Sequence, residues 1–211
     1  MGVIPIKFKD EWAKITTSFG TFISYNEPRF NEMYYRLTYQ KDIISRLLTG
    51  SYDVFVDVGS YIGYFALIGA MFAKKTIAYE ANPILYGILL NNCKFHSNVE
   101  CKYSYVGKRG DIPKIPTNPF QMVDVRAPHE YNIPVVTLDD ELLKYKGKKM
   151  FIKMDIEGGE KNALLGATEL LKCDNIDWQV DIHYHTNTEQ EIFDFFPNKL
   201  RRGHHFLCHK E

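Results

Sequence analysis

A chain of 211 residues with 45% hydrophobic and 25% charged residues carries enough apolar material for one sizeable α/β core and is short for two average domains. Lys plus Arg and Asp plus Glu number 26 each, so no global charge draws it to nucleic acid or to an anionic membrane. Cys93, Cys101, Cys173 and Cys208 show no Cys-x-x-Cys spacing, which argues against a thiolate zinc site or a disulfide framework and makes a reduced, cytoplasmic protein the expectation. No apolar stretch reaches the roughly 18 residues of a membrane span. The start Met-Gly-Val-Ile-Pro-Ile-Lys lacks a signal peptide's apolar core, and Ile6 stands where myristoylation after Gly2 needs Ser or Thr.

Residues 1–50 read as an N-terminal helical extension packing on the core. Residues 51–211 read as a ligand-binding domain with an insertion at about 111–134. In chain order, Asp10 to about Ile15 predicts a short helix, and Phe19 to Tyr25 alternates like a strand around Gly20. Asn31 to Leu48 reads as a helix stopped at Gly50. Tyr34, Tyr35 and Tyr39 on that helix either pack or cover a ligand.

The stretch Val54–Gly63, Val-Phe-Val-Asp-Val-Gly-Ser-Tyr-Ile-Gly, reads as a buried strand ending at Asp57 and a turn bracketed by Gly59 and Gly63. A buried helix follows from Tyr64. Strand, glycine loop and helix place a ligand against backbone N–H groups, and glycine leaves room for its approach. Tyr61 rules out the dinucleotide fingerprint, and no Gly-Lys-Ser/Thr ends the loop as a Walker motif requires. The next strand, Lys75 to Glu80, ends in an acid placed to accept two ribose hydroxyls; the alternative is that Glu80 caps the helix starting near Pro83.

Ile84 to Phe95 predicts a helix and Val99 to Val106 a third strand. Residues 111–134 hold five prolines (Pro113, Pro116, Pro119, Pro128, Pro134) and offer Arg126 and His129 as substrate contacts. Val135 leads into a short helix at Asp139. Met150-Phe-Ile-Lys-Met then ends in Asp155, and an amphipathic helix from Glu160 turns Ala163, Leu164, Ala167, Leu170 and Leu171 inward. Ligands of open parallel sheets bind outside the carboxyl ends of the strands, so Asp57, Glu80 and Asp155 should meet at one crevice. Ile176 to His185 predicts a strand with Asp181, His183 and His185 on one face. Thr188 with Glu191 matches a capping box, and a last strand runs around His204–Cys208.

Taken together, Val-Phe-Val-Asp-Val-Gly-x-x-x-Gly-Tyr-Phe, Tyr-Glu-Ala-Asn-Pro, Thr-Leu-Asp-Asp and Ile-Lys-Met-Asp-Ile-Glu-Gly-Gly-Glu resemble FkbM-type methyltransferases over roughly Asp53 to His185. The resemblance implies an α/β class I methyltransferase fold: a Rossmann-like three-layer sandwich whose seven-stranded sheet is mostly parallel, with an antiparallel strand near one edge. It implies S-adenosylmethionine as cofactor, bound by Asp57, Gly59, Ser60, Tyr61, Gly63, Glu80, Ala81 and Tyr105. Asp155 and Glu157 would stand at the mouth of the active site, Asp155 also touching the cofactor. Tyr105 stands where the family carries a small residue, and Asp181 where glutamate is common.

The implied reaction is methylation of a hydroxyl on a small molecule, sugar or glycan. Such a hydroxyl must lose its proton, and Asp155 and His183 are the candidate catalytic bases. Each has a structural alternative, Asp155 as a helix cap and His183 as a framework histidine. No metal site is assigned; Asp155, Asp181, His183 and His185 are the set that would supply one. Competing readings are a nucleic-acid or protein methyltransferase using Lys108, Arg109, Lys114 and Arg126, and a module that binds the cofactor without catalysis.

Overall fold

Ile15, Thr16 and Thr17 are β-branched and favour a pleated, half-buried setting when a partner strand is at hand. In the computed structural model, which describes residues 12–25, 40–113, 133–182, 189–196 and 205–209, they have that partner. Strands β1 (Trp12–Thr17) and β2 (Gly20–Tyr25) form an antiparallel hairpin with Trp12 opposite Tyr25 and Thr17 opposite Gly20. The helix expected over Asp10–Ile15 is therefore corrected to a strand. Its turn is closed by Phe19 N–H donating to Thr17 Oγ1 at 3.1 Å, with Gly20 at φ +129°. The helix expected over Asn31–Leu48 is observed as α1 (Lys41–Gly50); Tyr34, Tyr35 and Tyr39 lie outside the described residues.

The chain continues through β3 (Val54–Val58), α2 (Tyr64–Phe72), β4 (Lys75–Glu80), α3 (Pro83–Cys93), β5 (Val99–Tyr103), β6 (Tyr105–Val106) and β7 (Val135–Val136). It ends through α4 (Leu138–Leu142), β8 (Met150–Met154), α5 (Glu160–Leu165), β9 (Ile176–Ile182), α6 (Glu189–Phe193) and β10 (His205–His209). Among the described residues the main sheet has six strands in the order β10-β9-β8-β3-β4-β5, and every neighbouring pair is parallel. This corrects the expected seven strands with an antiparallel edge.

Two local features explain the difference. The strand expected over Val99–Val106 breaks at Ser104, whose N–H turns to the Glu80 carbonyl at 3.2 Å, and β6 leaves to pair with β7 in a ladder of its own. At the other edge α6 lies between β9 and β10 in the chain, and a crossover carrying a helix returns the chain parallel rather than antiparallel.

Both faces of the sheet are covered, which makes three layers. One core gathers Val54, Val56, Ile152, Met154, Trp178 and Val180 under α4, α5 and α6. The other gathers Phe55, Ala78 and Phe151 with α1, α2, α3 and the hairpin, represented by Ile43, Leu47, Phe65, Ile88, Ile15 and Phe22. β3 and β8 are accordingly buried at every position, and read as apolar runs, each interrupted once (by Asp57 and by Lys153), instead of alternating ones. The helix expected from Glu160 to Leu171 stops at Leu165. A Cβ on Gly166 would meet the Gly107 carbonyl oxygen at 2.2 Å, and Leu170–Lys172 forms a separate 3₁₀ turn whose Glu169 and Leu170 N–H groups donate to Asp139 at 3.0 Å.

Helix α1 and the residues flanking it are fixed across β9 by polar contacts. Gln40 donates to the buried Asp181, Arg46 pairs with Asp177 at 3.5 Å, and Tyr52 donates to Asp177 at 2.5 Å.

Candidate active site

Where β3 ends, the chain must turn from strand to helix within a few residues, and the backbone hydrogen bonds show how. Gly59 and Ser60 N–H both donate to the Tyr79 carbonyl, at 3.0 and 2.9 Å, and Gly63 N–H donates to the Ser60 carbonyl at 2.8 Å. Tyr61 N–H donates to Glu80 Oε2 at 2.8 Å, and Ser60 Oγ to the Asp57 carbonyl at 2.8 Å. The expectation that these N–H groups await a ligand is therefore corrected: those of residues 59, 60 and 61 fasten the loop to β4, and that of Gly63 closes the loop's own turn on Ser60. Gly59 also has a different reason from the one expected. At φ +79° its missing Cβ would lie 2.0 Å from the Asp155 carbonyl oxygen, so the position is reserved for the approach of β8's end, not of a ligand. Tyr61 holds φ +53°, a left-handed conformation uncommon for a bulky residue and concentrated at functional sites.

Glu80 is the hinge of this arrangement. Its Oε1 accepts Asn82 N–H at 2.7 Å while its Oε2 holds Tyr61, so one carboxylate ties the glycine loop to the β4–α3 turn. The capping of α3 falls to Asn82, whose Oδ1 accepts from Ile84 and Leu85 N–H at 2.9 and 3.2 Å, with Pro83 opening the helix. Burial pushes the Glu80 carboxyl up to about 7, against the pull of the Asn82, Tyr61 and Ala81 N–H groups; the charge of Asp57 adds to the rise. The residue is 9% exposed, and a carboxylate has four lone-pair sites, so it can accept hydroxyls of a diol on those the N–H groups leave over.

The residue that sequence reasoning missed is Lys153. It sits opposite Asp57 across the β3–β8 pairing and is 3% exposed. Its ammonium lies 3.2 Å from Asp57 Oδ1, donates to the Gly59 carbonyl at 3.2 Å, stands 4.0 Å from Asp155 Oδ2, and lies 5.2 Å from the centre of the Phe65 ring. A lysine inside the apolar run Met-Phe-Ile-Lys-Met was the available signal, because a charge at a buried strand position requires a partner. Asp57 is fully buried, and burial raises its carboxyl despite the opposing effects of Lys153 and Ser60.

Asp155 follows β8, with its N–H donating to the Val58 carbonyl at 3.0 Å. It is not the cap of α5: Gly159 occupies that place. The turn between is closed instead by Glu160, which accepts from Ile156 and Gly158 N–H at 3.3 and 3.0 Å, with Glu157 at φ +52°. The structure thus brings Asp57, Gly59 and Asp155 around Lys153, with Glu80 joined through Tyr61. Tyr105 instead faces Gly107 and Gly159, its hydroxyl pushed up to about 12 by burial and by the charges of Asp111 and Glu160. Ala81 is half-buried beside Glu80. His183, His185, Lys114, Arg126, His129 and Thr188 lie outside the described residues, and among the described residues no group of three metal-ligating side chains occurs.

The model of the methyltransferase FkbM domain matches residues 57–206. The chain belongs to the FkbM methyltransferase family. The match opens on Asp57 and takes in the glycine loop, Glu80, Lys153 and Asp155, leaving the β1–β2 hairpin and α1 outside it. Family membership carries methyl transfer from S-adenosylmethionine as its general chemistry.

Among solved structures the chain is similar to the YcgJ protein of Bacillus subtilis, at 8% identity and TM-score 0.36, over 63% of this chain and 45% of that one. It is also similar to the precorrin-6y C5,15-methyltransferase of Geobacter metallireducens, at 15% identity and TM-score 0.38, over 80% of this chain and 66% of that one. The chain thus spans about half to two thirds of their lengths. No curated protein matches it. No helix among the described residues is long and apolar enough to cross a membrane.

Proposed function

We propose that this FkbM-family protein transfers a methyl group from S-adenosylmethionine to a hydroxyl of a small molecule, sugar or glycan. The observation that carries the reading is the placement of two acids, Glu80 and Asp155, at the carboxyl ends of β4 and β8, joined through one glycine loop. Glu80 receives the ribose hydroxyls on its remaining lone pairs, with Tyr61 and Ala81 beside it. The cofactor supplies an activated methyl group, so the chain's task is to align the acceptor, exclude water and take a proton. Asp155, held near Lys153 and the Gly59 strand end, is the base for the acceptor hydroxyl; His183 is the second candidate.

The first test is calorimetric titration with S-adenosylhomocysteine, with NAD as control. Micromolar binding of the homocysteine compound that Glu80→Ala abolishes supports the site; no binding to folded protein sinks it. The pH dependence has a definite sign. Ribose hydroxyls donate to ionised Glu80, so affinity rises as the pH passes through about 7. Between pH 6 and pH 8 the gain is about tenfold, one unit of carboxyl titration.

Stability of the ligand-free protein moves the other way. The folded-state value of Glu80 lies above its ordinary 4.5, so this group's stabilisation is complete below that value and is lost as the pH rises through about 7. Glu80→Gln should flatten both trends, and trends that persist in it would remove Glu80 from the account. Asp155→Asn should lower turnover about a hundredfold on whichever hydroxyl acceptor a screen of sugars and small alcohols finds. Its affinity for S-adenosylhomocysteine should stay within a few fold of the parent's, and unchanged turnover would remove Asp155 as the base.

A further inference from the structure

The hairpin β1–β2 lies outside the matched family domain, yet it reaches the cofactor loop through one buried side chain. Asn92, near the end of α3 and 7% exposed, accepts from Ile23 N–H at 2.9 Å through Oδ1 and donates to the Ile23 carbonyl at 3.0 Å through Nδ2. It thereby pairs with β2 as the peptide of a third strand would. The same Nδ2 donates to the Ile62 carbonyl at 2.7 Å. Ile62 is the residue between Tyr61 at φ +53° and Gly63 at φ +92°, the two left-handed positions that shape the loop. The hairpin makes a second contact just beyond, where Phe22 packs on Tyr64, the first residue of α2, with ring centres 5.8 Å apart; Phe19 packs on Phe72 at the helix's far end, at 5.7 Å.

We propose that the hairpin is part of the cofactor-binding apparatus, with Asn92 as the positioning residue that transmits its docking to the glycine loop. The inference rests on the S-adenosylmethionine reading above and adds to it that cofactor binding and hairpin docking are coupled. A loop whose residue 62 is no longer anchored offers Tyr61 and Glu80 in the wrong relation, and small misplacements of binding groups weaken binding strongly. Coupling is reciprocal, so a bound cofactor must also steady the hairpin.

Hydrogen exchange on the full chain tests this without any substitution. Saturating S-adenosylhomocysteine should slow exchange at residues 20–25 about fivefold or more, as well as at residues 59–63; protection confined to the loop would overturn the proposal. Asn92→Ala should weaken S-adenosylhomocysteine about tenfold and raise the S-adenosylmethionine KM in parallel, with kcat at saturation within about twofold. Asn98→Ala is the control. Asn98 donates to the Ala70 carbonyl at 2.8 Å, away from the loop, so its loss should lower the melting temperature and leave the affinity alone. A folded Asn92→Ala protein with parental affinity overturns the coupling, and if that variant does not fold, the exchange experiment decides. A parent chain that binds no S-adenosylhomocysteine defeats the cofactor reading itself, whereas a parent that binds it without any response in the hairpin defeats only this inference.

Discussion

Lys153→Met should cost the fold about 3–5 kcal/mol at neutral pH, the penalty for removing one partner of a buried ion pair. The lysine is 3% exposed and Asp57 is fully buried, so no water replaces the missing ammonium 3.2 Å from Asp57 Oδ1. Burial already raises the Asp57 carboxyl with Lys153 present. Without it the carboxyl rises further, and a group whose folded value exceeds its unfolded one stabilises at low pH and loses that contribution as the pH climbs. The deficit of the variant should therefore narrow on acidification. Adding Asp57→Asn should recover much of the loss at neutral pH, because an uncharged pair has no stranded carboxylate. Urea unfolding of the four proteins of this cycle at pH 5.5 and pH 7.5 reads the effect. A single variant within about 1 kcal/mol of the parent at both pH values would show that Lys153 does not neutralise Asp57.

Loss of this ammonium should also be felt at the site, since it donates to the Gly59 carbonyl and stands 4.0 Å from Asp155. One buried charge thus joins β3, the glycine loop and the strand end that offers the proposed base.

Local signals made much of this site legible. Glu80 and Asp155 each end an apolar run, and the glycine spacing marked the turn after β3; the end expected at Asp57 is corrected to Val58, which leaves Asp57 buried within the strand. The Lys153–Asp57 pair was not legible as a contact, because register between non-consecutive parallel strands is set by tertiary pairing, not by local pattern. The same cause hid β1: Ile15, Thr16 and Thr17 become a strand only against β2. A strand from Val99 was legible, but the break at Ser104 depends on the Glu80 carbonyl and on Val135, both distant in sequence. The glycines were recognised as necessary for the wrong neighbour, since only the folded chain reveals that the Asp155 carbonyl fills the space beside Gly59.

That neighbour makes Gly59→Ala a severely damaging small substitution. The backbone penalty alone, for an alanine at φ +79°, is about 1–2 kcal/mol. The steric term is larger. The new Cβ would lie 2.0 Å from the Asp155 carbonyl oxygen and 2.9 Å from Ile156 Cγ2. Neither side yields readily: Gly59 N–H is bonded to the Tyr79 carbonyl and Asp155 N–H to the Val58 carbonyl, both at 3.0 Å, so relief requires breaking a bond between β3 and a neighbouring strand. A total near 4 kcal/mol places the change in the tail of single-residue effects. Gly110 supplies the comparison, with φ +82° and nothing within 4 Å of its missing Cβ. Gly110→Ala should cost only the backbone term, about 1 kcal/mol, and leave S-adenosylhomocysteine binding intact. Melting and titration of the two variants side by side separate strain from collision. Equal losses would mean that the contact with Asp155 is soft; a large loss confined to Gly59, with cofactor binding gone, would show that the loop and the proposed base are held at a fixed distance from each other.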